Sequence, residues 1–118
     1  PHAVAPLVAT MKERYGQLDK QVLFTCIQTK AIEEMLELWS GLEKSQLTLT
    51  TFEDSRAYSV RDMQEIAHQK GLPYQEWKVF LTHYLERKSQ QSDLLLVTGS
   101  LYFLAQVRAF LIEKISRR

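Results

Sequence analysis

The sequence predicts a three-layer α/β domain, in which a mostly parallel β-sheet lies between two layers of helices. Short apolar segments rich in β-branched residues alternate with longer segments whose apolar residues recur at helical spacing. Strands that are separated by helices are connected by crossovers, which produce parallel neighbours. At 118 residues the chain has the length of one domain, and a domain of this size buries roughly two-thirds of its unfolded surface.

Two helices and two strands are predicted in the first half of the chain. The first helix ends at Gly16, a residue type favoured just beyond helix C-termini, and it either begins near Val4 or bends at Pro6. The strands are predicted from their β-branched and aromatic content, and the second helix from one apolar face. In order, these elements are His2–Tyr15, Val22–Gln28, Ala31–Leu42 and Gln46–Phe52.

Three helices and one strand are predicted in the second half. Ser59 is the predicted N-cap of the third helix, with Asp62 in its first turn, and Gly71 ends that helix. The last helix is expected to bury a broad apolar face formed by Leu101, Leu104, Val107, Leu111 and Ile115. In order, these elements run from Ser59 to about Lys70, Tyr74–Lys88, Leu94–Thr98 and from Ser100 to about Ser116.

The number of strands is small for this architecture. Three predicted strands accompany five predicted helices, and no strand precedes the first helix. We therefore expect the sheet to lack its first strand and the chain to be a piece of a longer protein.

Composition argues against several classes of function. A net charge of +1 creates no strong field, so neither nucleic acid nor a membrane surface is an expected partner. No apolar run reaches the roughly 18 residues of a membrane span. The single Cys26 cannot form an internal disulfide, which fits the cytoplasm, and we expect it to be a buried small hydrophobe rather than a catalytic thiol.

The motifs of independent nucleotide and metal sites are also missing from the sequence. Neither the phosphate loop GxxxxGK[ST] nor the dinucleotide pattern GxGxxG occurs. His2, His68 and His83 are far apart, and Cys26 has no second cysteine. The sequence therefore predicts no metal site.

One connection combines features that suit a ligand. Thr98-Gly99-Ser100 joins the last predicted strand to the last helix, and ligands of open α/β sheets bind beyond the carboxyl ends of strands. The helix after this connection offers free N–H groups to a carboxylate or phosphate, and Tyr102 either directs its hydroxyl there or packs. Ser is also a favoured N-cap whatever the function, so the residues alone favour a structural connection.

The same stretch resembles a known family. "LLLVTGSLYFLAQVRAFL" is similar to the closing signature of the folylpolyglutamate synthase/dihydrofolate synthase family, a strand-to-helix corner of the form VTGSLY(F/L)…VR. "PHAVAPLVATMKE" resembles the segment directly after the family's DGAHN motif, and "LTLTTFEDSRAYSVRDMQEIA" resembles its strand ending in TTF. The order and spacing of these motifs agree with those of the family over essentially the whole chain, residues 1–118. The chain therefore resembles the greater part of the family's Rossmann-like, Mur-ligase type C-terminal domain.

The resemblance implies part of an ATP-dependent amide ligase of the cytoplasm. In such enzymes ATP phosphorylates a carboxylate of dihydropteroate or a folate, and the amine of L-glutamate attacks the acyl phosphate. ATP and Mg²⁺ belong to the larger N-terminal ATPase domain, the implied partner of this chain. The C-terminal domain closes over the nucleotide and helps hold glutamate, so we expect the isolated chain to bind no cofactor and to be inactive.

The resemblance also implies roles for a few residues. Gly99, Ser100 and Tyr102 fall at the family's corner beside the glutamate site, and no catalytic residue is assigned. His2 comes just after the DGAHN motif, whose own Asp and His would precede Pro1. The family often has DKD where this chain has Thr29-Lys30-Ala31, so Lys30 is retained near the site without its acidic neighbours.

Two other functions remain open at this point. The chain could be a non-catalytic α/β interaction module that docks a partner through a sheet edge or apolar surface, or part of a paralogous ligase for another amino acid. The sequence does not distinguish dihydrofolate synthesis from polyglutamylation.

Overall fold

A computed structural model, which describes residues 3–87 and 93–117, has three parallel strands flanked by five helices. The first strand in the sequence lies between the second and the third, and it is paired in parallel to both. The predicted α/β class and parallel sheet are therefore confirmed. The elements are α1 (Val4–Tyr15), β1 (Lys20–Phe24), α2 (Ile32–Ser40), β2 (Ser45–Leu49), α3 (Val60–Lys70), α4 (Trp77–Glu86), β3 (Leu94–Thr98) and α5 (Leu101–Ser116).

The helices cover both faces of the sheet and form two apolar clusters. Helices α1, α2 and α3 pack on the face that contains Val22 and Phe24, where Trp39 is fully buried. Helices α4 and α5 pack on the opposite face, where Leu23 contacts the cluster that contains Phe103. Successive residues of β1 thus point to opposite layers, as strand geometry requires. The three-layer prediction is confirmed.

The predicted bounds of the first two strands are wrong at their ends. Strand β1 begins at Lys20, whose side chain is 1% exposed and whose Nζ donates hydrogen bonds to the carbonyls of Tyr15 (3.0 Å) and Leu18 (2.6 Å). These two acceptors replace water around a charge that is buried at the start of the strand. Both strands also end three or four residues early, β1 at Phe24 and β2 at Leu49.

The two outer edges of the sheet differ. The outer edge of β2 is covered at its carboxyl end, because Leu49 accepts a hydrogen bond from the N–H of Gln75 (3.0 Å) and donates one to the carbonyl of Pro73 (2.9 Å). No strand lies beside the outer edge of β3 among the described residues. The side chains of Leu94 to Val97 are only half-buried, although such strands are usually buried on both faces. This arrangement is compatible with a Rossmann-like sheet that lacks a strand.

Helices α3 and α4 begin at side-chain caps. The predicted N-cap is confirmed, because the Oγ of Ser59 accepts a hydrogen bond from the N–H of Asp62 at 3.1 Å. The predicted start of the next helix at Tyr74 is wrong, since Glu76 caps α4 by accepting hydrogen bonds from the N–H groups of Lys78 and Val79. The predicted end of that helix at residue 88 lies outside the described residues.

The predicted apolar face of α5 is wrong at both ends. Leu101 is 82% exposed and Ile115 is 64% exposed, whereas Phe103 is fully buried. Phe103 and Val107 mark the side that packs on the sheet. Apolar residues occur around most of this helix, so helical spacing alone did not identify the buried side.

Candidate functional site

The corner between β3 and α5 is built on a close approach between two backbones. Gly99 has φ +152°, and a Cβ atom at this position would lie 2.4 Å from the carbonyl oxygen of Thr25, at the end of β1. The N–H of Thr25 in turn donates a hydrogen bond to the carbonyl of Thr98 at 3.3 Å. The glycine is therefore required where the carboxyl ends of β1 and β3 meet.

Ser100 caps α5. Its Oγ accepts a hydrogen bond from the N–H of Tyr102 at 3.1 Å, and its carbonyl accepts one from Leu104 at 3.0 Å. The cap explains the serine without any ligand, which is the structural interpretation of this corner. The hydroxyl proton remains available to a ligand, because accepting the cap bond uses only a lone pair.

Tyr102 does not pack into the core. It is 59% exposed, and the guanidinium carbon of Arg56 lies 4.3 Å from the centre of its ring. Arg56 comes from the segment after β2, and Asp54 holds it through two hydrogen bonds, from Nε and from Nη2, each of 2.9 Å. A cation–π contact and a bidentate ion pair therefore fix this arginine beside the first turn of α5.

The charges of this pair are well defined. The side-chain hydrogen bond from Arg56 lowers the pKa of Asp54 to about 2. The same bond raises the pKa of Arg56 above its ordinary value, so the guanidinium stays charged. The side chain of Arg56 is 49% exposed, which leaves part of this cation open to solvent at the corner.

The loop that carries Lys30 is joined to the same edge of the sheet. Gln28 donates a backbone hydrogen bond to the carbonyl of Arg56 at 2.9 Å and a side-chain bond to the carbonyl of Ala57 at 3.1 Å. The hydroxyl of Tyr58 donates to the carbonyl of Thr29 at 3.0 Å and accepts from its N–H at 3.2 Å. Arg56 therefore links the exposed Lys30 loop to the first turn of α5.

The predicted site residues are thus only partly brought together. Gly99, Ser100 and Tyr102 form one corner, the Lys30 loop reaches it through the segment after β2, and His2 lies outside the described residues. Arg56 was missed by sequence analysis. An Asp-x-Arg spacing, here Asp54 and Arg56, is a weak signal, and the partner Tyr102 is adjacent only after folding.

Side chains of the usual metal-binding types are scattered over the described residues. No group of three or more His, Cys, Asp or Glu side chains in residues 3–87 and 93–117 could hold a metal. His68 and His83 are exposed on separate helices.

Two further expectations concern the rest of the molecule. Cys26 is buried, and burial raises the pKa of its thiol to about 12, which confirms the small-hydrophobe interpretation over a reactive thiolate. Among the described residues, no helix has the length and apolar content needed to cross a bilayer.

The comparisons with known proteins gave one informative similarity. The chain is 24% identical over 105 residues to the dihydrofolate synthase/folylpolyglutamate synthase of Bacillus subtilis (strain 168). The match covers 89% of this chain and 24% of that protein, so the chain spans about a quarter of the relative's length. No protein-family model matches the chain, and no solved structure matches it. The similarity supports a distant relationship between this chain and that synthase.

Proposed function

We propose that this chain is the C-terminal, Mur-ligase type domain of an ATP-dependent ligase that adds L-glutamate to dihydropteroate or to folates. The similarity to the Bacillus subtilis synthase is the observation that carries the proposal, since it extends over 105 residues. The α/β fold with its parallel sheet agrees with it.

The corner is the part of the chain that we propose contacts glutamate. The first N–H groups of α5 have no acceptor within the helix, and the helix N-terminus favours an anion. The exposed face of Arg56 adds a positive charge beside it. These groups suit a carboxylate of the incoming glutamate, and the Lys30 ammonium would approach from the adjoining loop.

In the proposed reaction, a carboxylate oxygen of the folate attacks the γ-phosphorus of ATP, which forms an acyl phosphate and releases ADP. The glutamate amine then attacks the acyl carbon and loses a proton, the amide C–N bond forms, the C–O bond to phosphate breaks and inorganic phosphate leaves. The role of this chain is to orient glutamate and to exclude water from the acyl phosphate. The nucleotide and Mg²⁺ are proposed to be held by another domain of the complete protein.

The test compares two substitutions of Ser100 in the complete protein that carries this chain. Ser100→Asp keeps a favoured N-cap but places a negative charge where the glutamate carboxylate would bind. We expect a KM for glutamate raised about tenfold or more, with little change in the KM for ATP, because like charges at close range repel strongly. Ser100→Ala loses the cap, which costs about 1 kcal/mol of stability, and should raise the KM for glutamate less.

Ser59→Asp is the matched control, because it makes the same change at the N-cap of α3. Its KM for glutamate should equal that of the unmodified protein. Unchanged glutamate kinetics in Ser100→Asp would return the corner to a structural role. Absence of any glutamate-adding activity in the complete protein would instead reject the ligase.

One alternative is a non-catalytic interaction module that pairs a partner strand with the outer edge of β3, beside which no strand lies among the described residues. The reading frame upstream of Pro1 separates the two functions. A DGAHN motif directly before Pro1 with a phosphate loop further upstream would favour the ligase, and a start codon with neither motif would favour the module.

A further inference from the structure

A cleft of about 270 Å³ lies beside the segment after β2, separate from the Ser100 corner. It opens between this segment, the first turn of α4 and the middle of α5. Its lining includes Phe52, Glu53, Val60, Tyr74, Glu76 and Trp77. Because it lies past the carboxyl end of β2, it occupies a position where α/β sheets bind ligands.

The apolar wall of this cleft is packed against the core of the domain. Phe52 and Trp77 are almost fully buried, and both rings pack against Phe103, with centroid distances of 5.4 and 5.8 Å. Val60 is 51% exposed although it is apolar. An apolar stem of a ligand would find preformed contacts here, without rearrangement of the core.

The polar rim is negatively charged. Glu53 is exposed, and its carbonyl is held by the side-chain amide of Gln106 at 2.9 Å. Glu76 caps α4. Burial of the Tyr74 hydroxyl is the main cause of its raised pKa, and the negative charge of Glu76 raises that pKa further. Two carboxylates against the single ammonium of Lys78 give the lining an excess of negative charge.

The position of the Lys78 ammonium shows where a positive charge is stable in this cleft. The Nζ of Lys78 lies 5.4 Å from the centre of the Trp77 ring. The face of an indole attracts ammonium and guanidinium groups. Lys78, which supplies the ammonium group here, also lines the cleft. Lys78 is exposed, so a ligand cation could displace it into solvent at small cost.

We propose that this cleft binds an alkylammonium or alkylguanidinium group. The positive charge lies near the Trp77 ring and the carboxylates of Glu53 and Glu76, and the alkyl stem lies along Phe52 and Val60. The ligand is either a free amine or a basic side chain of a polypeptide. Glu53, Trp77 and Val60 are its main contacts. The proposal does not depend on the ligase function.

The test is a titration of the isotopically labelled chain followed by NMR. The probe is n-butylammonium, and n-butanol and butyrate are neutral and anionic probes of similar size. We expect saturable shifts of the Trp77 indole and Val60 methyl signals with butylammonium alone. Glu53→Gln should weaken this binding about two- to fivefold, the range of an exposed charge pair, whereas Glu65→Gln on the outer side of α3 should not.

Lys78→Met should have the opposite effect to Glu53→Gln. It removes the competing cation and should therefore strengthen the binding of butylammonium. A blocked tripeptide with a central lysine separates the sources: binding equal to that of butylammonium indicates a polypeptide side chain, and exclusion of the peptide indicates a free amine. The proposal is overturned if all three small probes give the same shifts, or if the shifts in Glu53→Gln equal those of the unmodified chain. The circular dichroism melting curve of each variant confirms that it is folded.

Discussion

The guanidinium of Arg56 stacks over the ring of Tyr102, with 4.3 Å between the guanidinium carbon and the ring centre. This contact joins two segments that are distant in the sequence, the loop after β2 and the first turn of α5. Because Asp54 holds the same guanidinium through two oxygens, the position of Tyr102 depends on a carboxylate that it does not touch.

Arg56→Gln should release Asp54. Without the guanidinium, the pKa of Asp54 should rise from about 2 toward its ordinary value, and it should stay below that value because the backbone N–H of residue 56 still donates to Oδ1. The lowered pKa means that the stabilisation from this pair is complete above the unfolded pKa and is lost as the pH falls through about 2. The measurement is the side-chain carboxyl shift of Asp54 as a function of pH. Arg61→Gln, an exposed arginine of α3, is the control that should leave this titration unchanged.

Gly99→Ala should be strongly destabilising. The new Cβ would lie 2.4 Å from the carbonyl oxygen of Thr25, a backbone atom that cannot move without distorting the sheet. We expect a loss of about 3 kcal/mol or more, measured by denaturant unfolding. Gly71→Ala is the matched control, because Gly71 also has a positive φ of 67° but open space around it. It should cost only about 1–2 kcal/mol, and equal costs would contradict the role of the close approach.

Lys20→Met should destabilise the domain although it removes a buried charge. The methionine fills a similar volume but leaves the carbonyls of Tyr15 and Leu18 without their donor. We expect a loss of about 1–3 kcal/mol in thermal or denaturant unfolding. Lys44→Met removes a comparable bond, to the carbonyl of Gln17, from an exposed side chain, and should change stability by less than about 0.5 kcal/mol. A neutral Lys20→Met would show that water replaces the donor.

Phe103→Ala and Leu101→Ala should differ sharply. Phe103 is fully buried between Phe52 and Trp77, so its truncation should cost about 3–5 kcal/mol. Leu101 is 82% exposed and should tolerate alanine within about 0.5 kcal/mol. Chemical denaturation of the two variants measures both values, and the reverse order would restore the face of α5 that helical spacing predicted.

Local signals predicted much of the fold. The hydroxyl of Ser59 and the left-handed Gly71 define α3 within its own sequence, and both were assigned correctly. The predicted start of β1 was wrong because the ammonium of Lys20 is bound by backbone carbonyls. The positions of these carbonyls cannot be read from the order of side chains in the sequence. The register of the sheet likewise arises from pairing between distant segments.

The candidate site was predictable only where the chain is continuous. Gly99 and Ser100 adjoin in the sequence, so their corner could be recognised as a strand-to-helix connection. Arg56 and the cleft beside Trp77 depend on how β2, α4 and α5 pack together, and no short motif encodes that packing. The role of Ser100 toward glutamate stays a prediction, since its cap bond is explained by the helix alone.

The two edges of the sheet differ in how readily they can pair with an additional strand. Pro73 and Gln75 already use the outward N–H and carbonyl of Leu49 on the β2 side, so an added strand would first have to displace them. On the β3 side, no strand lies beside the outer edge within the described residues. Any strand supplied by a longer chain or by a second molecule should therefore enter beside β3.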